Sequence, residues 1–184
     1  MKRIAAGLLF LFAATPALAQ DAAAVAAANN FYTAYRALPR AAGIPAPSAQ
    51  ARLQPLLSGR LTRLIAEAAS AQARFRARVP FAPPLLEGDL FSSALEGPAG
   101  FRAGGCTGTP AAQRCRIEFT RPSVPNPRGP SQALPQPTNW NDDLLLVNEG
   151  GVWKVDDVDY RGGFAYGNTG LLSQSLAMVI RSAS

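Results

Sequence analysis

The chain has 184 residues, with 18 Lys and Arg against 12 Asp and Glu and therefore a net charge of +6. It contains no histidine, which excludes Ser-His-Asp and Cys-His catalysis and most zinc sites. The length suits one domain with a substantial core, while the mild positive charge informs on solubility and association rather than on fold.

The N-terminus has the pattern of a secretion signal. Lys2 and Arg3 precede an apolar run over residues 4–14, and Ala17-Leu18-Ala19 forms a small-x-small cleavage site. The run is shorter than the roughly 20 residues that a membrane-spanning helix needs. We therefore expect export to the periplasm or the medium, and no membrane span.

Cleavage after residue 19 defines the expected domain organisation. A signal peptide covers residues 1–19, and one domain covers residues 20–184. The residue after the cleavage site is Gln20 rather than a cysteine that could carry a lipid. Two of the 18 basic residues lie in the signal, so 16 basic and 12 acidic residues leave the exported domain a net charge of +4.

Three helical segments are predicted next. Asp21 can cap the first helix, which ends before Pro39. Leucines at 53, 56 and 57 indicate a short helical piece after a loop over residues 40–48, and Ser58 can cap a long helix over residues 59–78. The apolar face of the first helix consists of Ala24, Ala28, Phe31, Tyr35 and Leu38.

One face of the long helix is rich in arginine. It carries Arg60, Arg63, Glu67, Arg74 and Arg78. Either this face is solvated, with an internal Arg63–Glu67 pair, or it binds an anionic partner. No aromatic residues alternate with these arginines to stack bases, so we expect no nucleic acid partner.

The two cysteines lie in predicted strands. After an irregular connector over residues 85–97, strands are predicted over 101–107 and 113–121, with a turn between them. Opposed positions on this hairpin bring Cys106 and Cys115 within bonding reach, and an exported protein meets an oxidising environment. We therefore predict a disulfide bond between them.

A Pro-rich loop, residues 122–139, separates that hairpin from a second one. Six prolines between residues 122 and 137 exclude a central strand. Strands are then predicted over 140–148 and 152–160, followed by a helix that begins near Gly170. Helices and strands are segregated, so we predict an α+β fold in which helices cover a curved antiparallel sheet of about four strands.

Five aspartates lie in the second hairpin, although strands are usually poor in aspartate. They are Asp142, Asp143, Asp156, Asp157 and Asp159. A two-residue turn at Glu149-Gly150 would place Asp143 opposite Asp156 and Asp142 opposite Asp157. Arginines can neutralise these pairs, one carboxyl can keep a proton and act as an acid or base, or a hard cation such as calcium can bridge them.

Aromatic residues frame this acidic region. Trp153 belongs to the predicted core, whereas Trp140, at the entry of its strand, either packs or lines the mouth of a pocket. Tyr35 and Tyr160 are the phenols that could share a pocket with an aspartate. No site for a metal or another cofactor is predicted.

Two short patterns suggest a family. An N-terminal helix with Phe31-Tyr32-x-x-Tyr35 precedes Trp140-Asn141-Asp142-Asp143 and, later, residues 153–158 (WKVDDV). This arrangement resembles the cone-shaped superfamily of nuclear transport factor two and the SnoaL-like proteins, in particular an exported bacterial branch. The resemblance implies a bent sheet and helices that form a cone, whose open end can hold a small apolar ligand, an acid-base residue or nothing.

Three functions remain open from the sequence. The first is a non-enzymatic envelope module that binds a small ligand or a protein in the cone. The second is an enzyme in which Asp142 or Asp157, with Tyr35 or Tyr160, transfers a proton in a desolvated pocket. The third is an interaction or immunity-type protein that binds through the arginine-rich helix face.

Overall fold

The computed structural model describes residues 16–39, 42–122 and 138–183. Most of the predicted signal peptide and of the Pro-rich loop lie outside these ranges. The helices are α1 (Pro16–Arg36), α2 (Pro47–Leu53), a 3₁₀ helix (Gln54–Leu56), α3 (Gly59–Arg78) and α4 (Leu172–Ser182). The strands are β1 (Gly100–Gly108), β2 (Ala112–Arg121), β3 (Thr138–Glu149), β4 (Val152–Tyr160) and β5 (Gly170–Leu171).

The five strands form one curved, open antiparallel sheet in the order β1-β2-β3-β4-β5. Helix α1 packs on β1, β2 and β4, and α3 and α4 pack on each other and on β4. The predicted α+β class is confirmed. The fifth strand, Gly170–Leu171, was not predicted because two residues carry no periodicity.

Aromatic rings fill the space between α1 and the sheet. Phe31 and Tyr32 on α1 are fully buried, as are Phe91 and Phe119. The Phe31 and Phe91 rings meet edge to face at 4.9 Å, and the Tyr32 and Phe119 rings meet at 5.2 Å. These side chains form an aromatic core between α1 and the sheet.

Helix α3 has the predicted bounds. The Ser58 hydroxyl accepts a hydrogen bond from the Leu61 amide at 2.9 Å and thereby caps the helix. Leu61, Ile65 and Ala68 are buried on the predicted face.

Asp21 does not cap α1 in the full-length chain. The helix extends back to Pro16, within the predicted signal peptide, so Asp21 lies inside it. The Asp21 carboxylate instead accepts a hydrogen bond from the Cys106 amide on β1 at 2.8 Å. This contact fastens α1 to the edge strand of the sheet.

The predicted disulfide bond joins β1 to β2. Cys106 and Cys115 are paired across the two strands, their Cα atoms lie 4.0 Å apart and their sulfur atoms are bonded. A β-bulge between Ala103 and Cys106 shifts the register just before the bond. The covalent link holds the glycine-rich β1 in this register.

The predicted register of the second hairpin is wrong. Gly150 and Gly151 are the two turn residues, with φ of 62° and 87°, and Glu149 pairs with Val152. A turn with positive φ at both central positions favours glycine at both, which moves the turn one residue past the predicted one.

A β-bulge shifts the pairing again before it reaches the aspartates. The register slips between Leu145 and Leu146, which leaves Asp156 as the extra residue of β4. Asp143 is consequently opposite Asp159 rather than Asp156, and Leu145 rather than Asp142 is opposite Asp157.

Candidate functional site

The strand geometry gives the five aspartates different environments. Asp142 and Asp157 are buried, at 0% and 4% exposure. Asp143 and Asp159 are paired on the face of the sheet opposite to that of Asp142, and Asp156 is the extra residue of the bulge, next to Asp157. The predicted acidic site is thus three separate clusters.

Asp142 is the centre of a buried polar cluster. Its Oδ2 accepts a hydrogen bond from the Ser93 amide at 2.8 Å, and its Oδ1 accepts one from the Arg161 amide at 2.7 Å and another from the Ser93 hydroxyl. The Ser93 hydroxyl also accepts a bond from the Gly162 amide at 2.9 Å. One carboxylate therefore joins the loop before β1 to the loop after β4.

Asp143 and Asp159 are like charges directly opposite each other, and two arginines neutralise them. The Arg114 guanidinium lies 2.8 Å from both carboxylates. Arg161 approaches Asp159 at 2.7 Å and Asp143 at 3.4 Å. Of the three arrangements open from the sequence, arginine neutralisation is the one found here.

Asp156 and Asp157 each hold the N-terminus of a helix. The Ser58 hydroxyl donates to Asp156 at 2.6 Å, and Arg60 donates to the same carboxylate at 2.8 Å. Burial opposes ionisation, but these bonds hold the pKa of Asp156 below its usual range. Asp157 accepts a hydrogen bond from the Ser173 amide, in the first turn of α4, at 3.0 Å.

The predicted aromatic candidates are packed. Trp140 is 5% exposed and lies between Phe119 and Phe164, at 5.3 and 5.4 Å between ring centroids. The Tyr160 hydroxyl donates to the carbonyl of Leu90 at 2.6 Å. Burial raises the pKa of Tyr160, and the negative charges of neighbouring aspartates raise it further.

Tyr35 is a sequence-predicted candidate that borders an open space. A cavity of about 390 Å³ lies between the end of α1, the segment leading into α2 and the loop before β1. Burial raises the pKa of the Tyr35 hydroxyl, which is hydrogen-bonded to the Asp89 carboxylate. The cavity is lined by Tyr35, Arg36, Leu38, Pro39, Ala42, Pro45, Ala46, Ser48, Ala49, Asp89, Leu95, Glu96, Gly97 and Pro98.

Several polar residues of these clusters were not singled out from the sequence. Ser93, Asp89 and Glu96 lie in the irregular connector, where no periodicity assigns an orientation. Ser93 is buried, and its carboxylate partner lies 49 residues away. One local signal for a buried polar residue was available. Ser92 and Ser93 lie between the apolar residues Leu90-Phe91 and Ala94.

Two features bear on metals and membranes. In the described ranges, no three side chains of the His, Cys, Asp and Glu types are grouped so that they could hold a metal ion. Among the helices of those same ranges, none has the length and apolar character required to cross a bilayer.

A curated relative places the chain in a family. This chain is 30% identical over 149 residues to the Escherichia coli (strain K12) protein named uncharacterized lipoprotein YbjP. The alignment covers 81% of this chain and 72% of YbjP. The chain belongs to the YbjP family. No protein-family profile and no solved structure matches this chain. The part shared with YbjP is long enough to include most of the fold described above.

Proposed function

We propose that this protein is exported to the cell envelope and acts there as a non-enzymatic module that binds a small ligand in the cavity beside Tyr35. The cavity carries this proposal. Its volume of about 390 Å³ falls within the roughly 300–1,000 Å³ of small-molecule sites. Such sites combine apolar walls with a few polar groups that orient the ligand.

The lining defines the class of ligand. Leu38, Leu95 and the prolines supply apolar walls that would bury a compact hydrocarbon or aromatic body. Asp89 and Glu96 supply acceptors, and Arg36 supplies a donor. The ligand we expect is a small amphiphile with one polar group and no large charge.

Export is supported by three observations. The first is the basic and apolar N-terminal sequence with its cleavage site. The second is the bond between Cys106 and Cys115, which suits an oxidising compartment. The third is the relative, whose name describes it as a lipoprotein. Mass spectrometry of the protein recovered from an envelope fraction should find Gln20 at the N-terminus, whereas an intact Met1 would contradict export with cleavage.

The described fold also supports the proposed membership in the cone-shaped superfamily of nuclear transport factor two. Helices packed on a curved antiparallel sheet are the architecture that this resemblance implies. An experimental structure that superposes poorly on that superfamily would remove this part of the proposal without affecting the cavity.

The binding hypothesis accounts for the aspartates better than the enzyme hypothesis does. Asp142 is buried, and its hydrogen bonds come from loop amides and a serine hydroxyl rather than from a group facing the cavity. Asp157 likewise serves a helix N-terminus. A proton-transfer residue has to reach its substrate, and both aspartates are committed to the scaffold instead.

The experiment fills the cavity and measures the binding of a neutral fluorescent probe. N-phenyl-1-naphthylamine fluoresces in apolar surroundings and is small enough for the cavity. Ala49 lines the cavity, and Ala49→Leu should weaken probe binding at least about tenfold because the added carbons occupy the site.

The matched control is Ala51→Leu, the same change on the exposed side of the same helix. It should leave probe binding unchanged. Equal probe binding by the Ala49→Leu and parent proteins, with both folded by circular dichroism, would overturn the proposed site.

A further inference from the structure

The C-terminal ends of α3 and α4 meet at one end of the molecule. The Arg78 guanidinium, in the last turn of α3, donates to the carbonyl of Ala183, which follows α4. Arg181 is two residues from Ala183, so its backbone lies within about 8 Å of this contact. The two helix ends form a single surface, which we call the basic end.

The basic end carries four exposed arginines. They are Arg74, Arg76, Arg78 and Arg181. The sequence contains no Asp or Glu over residues 68–86, or over residues 172–183. The two segments therefore contribute four positive charges and no negative one, in contrast to Arg60 near the start of α3, which is paired with Asp156.

Exposed apolar side chains lie beside these charges. Val79 and Phe81 directly follow α3 and are 46% and 100% exposed. The Ala82 amide donates to the Val79 carbonyl at 3.1 Å, so this segment turns at the helix end. Phe81 is three residues from Arg78, which limits their Cα separation to about 11 Å.

We propose that the basic end, formed by Arg74, Arg76, Arg78, Val79, Phe81 and Arg181, docks on an anionic lipid surface. The arginines bind headgroup phosphates, which their planar guanidinium groups suit, and Phe81 inserts among the acyl chains near the headgroups. The combination of basic and apolar side chains without acids fits lipid.

The first test is sedimentation of the full chain with vesicles of phosphatidylglycerol and phosphatidylcholine, against vesicles of phosphatidylcholine alone. We expect binding that depends on phosphatidylglycerol and that weakens with salt. Each arginine near an anionic surface contributes about a factor of five, so Arg74→Gln with Arg76→Gln should weaken this binding about 30-fold. Arg78 is left in place because its contact with Ala183 holds the two helices together.

The matched control is Arg52→Gln with Arg63→Gln, which removes the same charge from exposed positions away from the basic end. It should retain most of the binding. Equal losses in both double variants would mean that net charge alone drives association and would overturn the proposal. Retention by poly-glutamate but not by vesicles would identify an acidic polypeptide as the partner and would also overturn it.

The second test measures insertion. Phe81→Trp should show a blue-shifted tryptophan emission on anionic vesicles because the indole enters a less polar layer. Val152→Trp, at an exposed position at the start of β4, is the matched control and should show no shift. An unshifted emission from Phe81→Trp with the vesicles bound would exclude insertion and contradict the proposal.

Discussion

Asp142 and Asp143 are neighbours on β3, yet they have opposite environments. Asp142 faces the helices, is fully buried and is held by two backbone amides and a serine hydroxyl. The Asp143 side chain, on the other face, is 21% exposed and is held by two arginines that solvent reaches. Because side chains alternate between the two faces of a strand, Asp142 links two loops inside the protein, whereas its neighbour Asp143 forms ion pairs at the surface.

The difference shows how this chain accommodates many aspartates in one hairpin. A buried carboxylate is stable only where fixed donors replace its water, and the loops around Ser93 and Arg161 supply such donors. A surface carboxylate needs only a nearby opposite charge, whose contribution is small because solvent screens it. The inner cluster consists of Asp142, Ser93 and the Arg161 amide, and it should stabilise the fold strongly. The outer cluster consists of Asp143 and Asp159 with the Arg114 and Arg161 guanidinium groups, and it should stabilise the fold only slightly.

The largest expected effect comes from removing the inner carboxylate. Asp142→Ala leaves the buried Ser93 amide and hydroxyl and the half-buried Arg161 amide without their acceptor, so the free energy of unfolding should fall by about 3–4 kcal/mol. Urea denaturation followed by tryptophan fluorescence measures this loss. Asp143→Ala is the matched control and should lose about 1 kcal/mol or less. Equal losses in the two variants would contradict the distinction between the faces.

The next effect separates the inner cluster from the covalent bond on the neighbouring strands. Replacing Cys106 and Cys115 by serine opens a loop with a sequence separation of 9, which should lower the free energy of unfolding by about 2.5 kcal/mol. The hydrogen bonds described for Asp142 come from Ser93 and Arg161 and involve neither cysteine, so the Ser93 hydrogen bonds should survive. Protection of the Ser93 amide from hydrogen exchange, scaled to the new global stability, checks this. Complete loss of that protection would show that the disulfide supports the inner cluster.

A third effect concerns the phenols on the inner side. Burial raises the pKa values of Tyr32, Tyr35 and Tyr160 above their ordinary value of 10.0. Above about pH 10 these phenols ionise in the unfolded chain but stay protonated in the folded one. The free energy of unfolding therefore does not depend on these phenols below pH 10. Well above pH 10 it falls by about 1.4 kcal/mol per pH unit for each phenol.

Tyr160→Phe tests whether Tyr160 contributes to this loss of stability above pH 10. Between pH 10 and 11 the variant should lose about 1 kcal/mol less stability than the parent protein, measured by urea denaturation at each pH. Tyr166→Phe, at an 87% exposed position, is the control and should follow the parent protein. A Tyr160→Phe slope equal to that of the parent would mean that Tyr160 ionises normally in the folded state.

The sequence predicted the elements of this hairpin better than their register. Strands were predicted over residues 140–148 and 152–160, and the structure has β3 at Thr138–Glu149 and β4 at Val152–Tyr160. The turn was misplaced by one residue, although positive φ at both central positions favours Gly150-Gly151. The bulge at Asp156 has no sequence signature, and the partners of its carboxylate, Ser58 and Arg60, lie about a hundred residues away.

The candidate site was less predictable than the fold. Helix α3 could be assigned because its cap and its periodicity are both local. The cavity depends on how three segments meet, and only Tyr35 among its lining residues was a candidate from the sequence. Ser93 could not be predicted as a site residue either, because its hydrogen bond to Asp142 joins residues 49 positions apart and leaves no local pattern in the sequence.

The smallest expected effect comes from the outer cluster. Arg114→Gln removes the side chain between Asp143 and Asp159 but leaves Arg161 near both, so the free energy of unfolding should fall by only about 0.5–1 kcal/mol. The loss should shrink in 1 M salt, where the screening length is about 3 Å. Arg116→Gln, an exposed arginine two residues along the same strand, should cost less in both conditions. A loss for Arg114→Gln as large as that of Asp142→Ala would mean that the opposed aspartates destabilise the hairpin strongly, and that exposure does not separate the two faces.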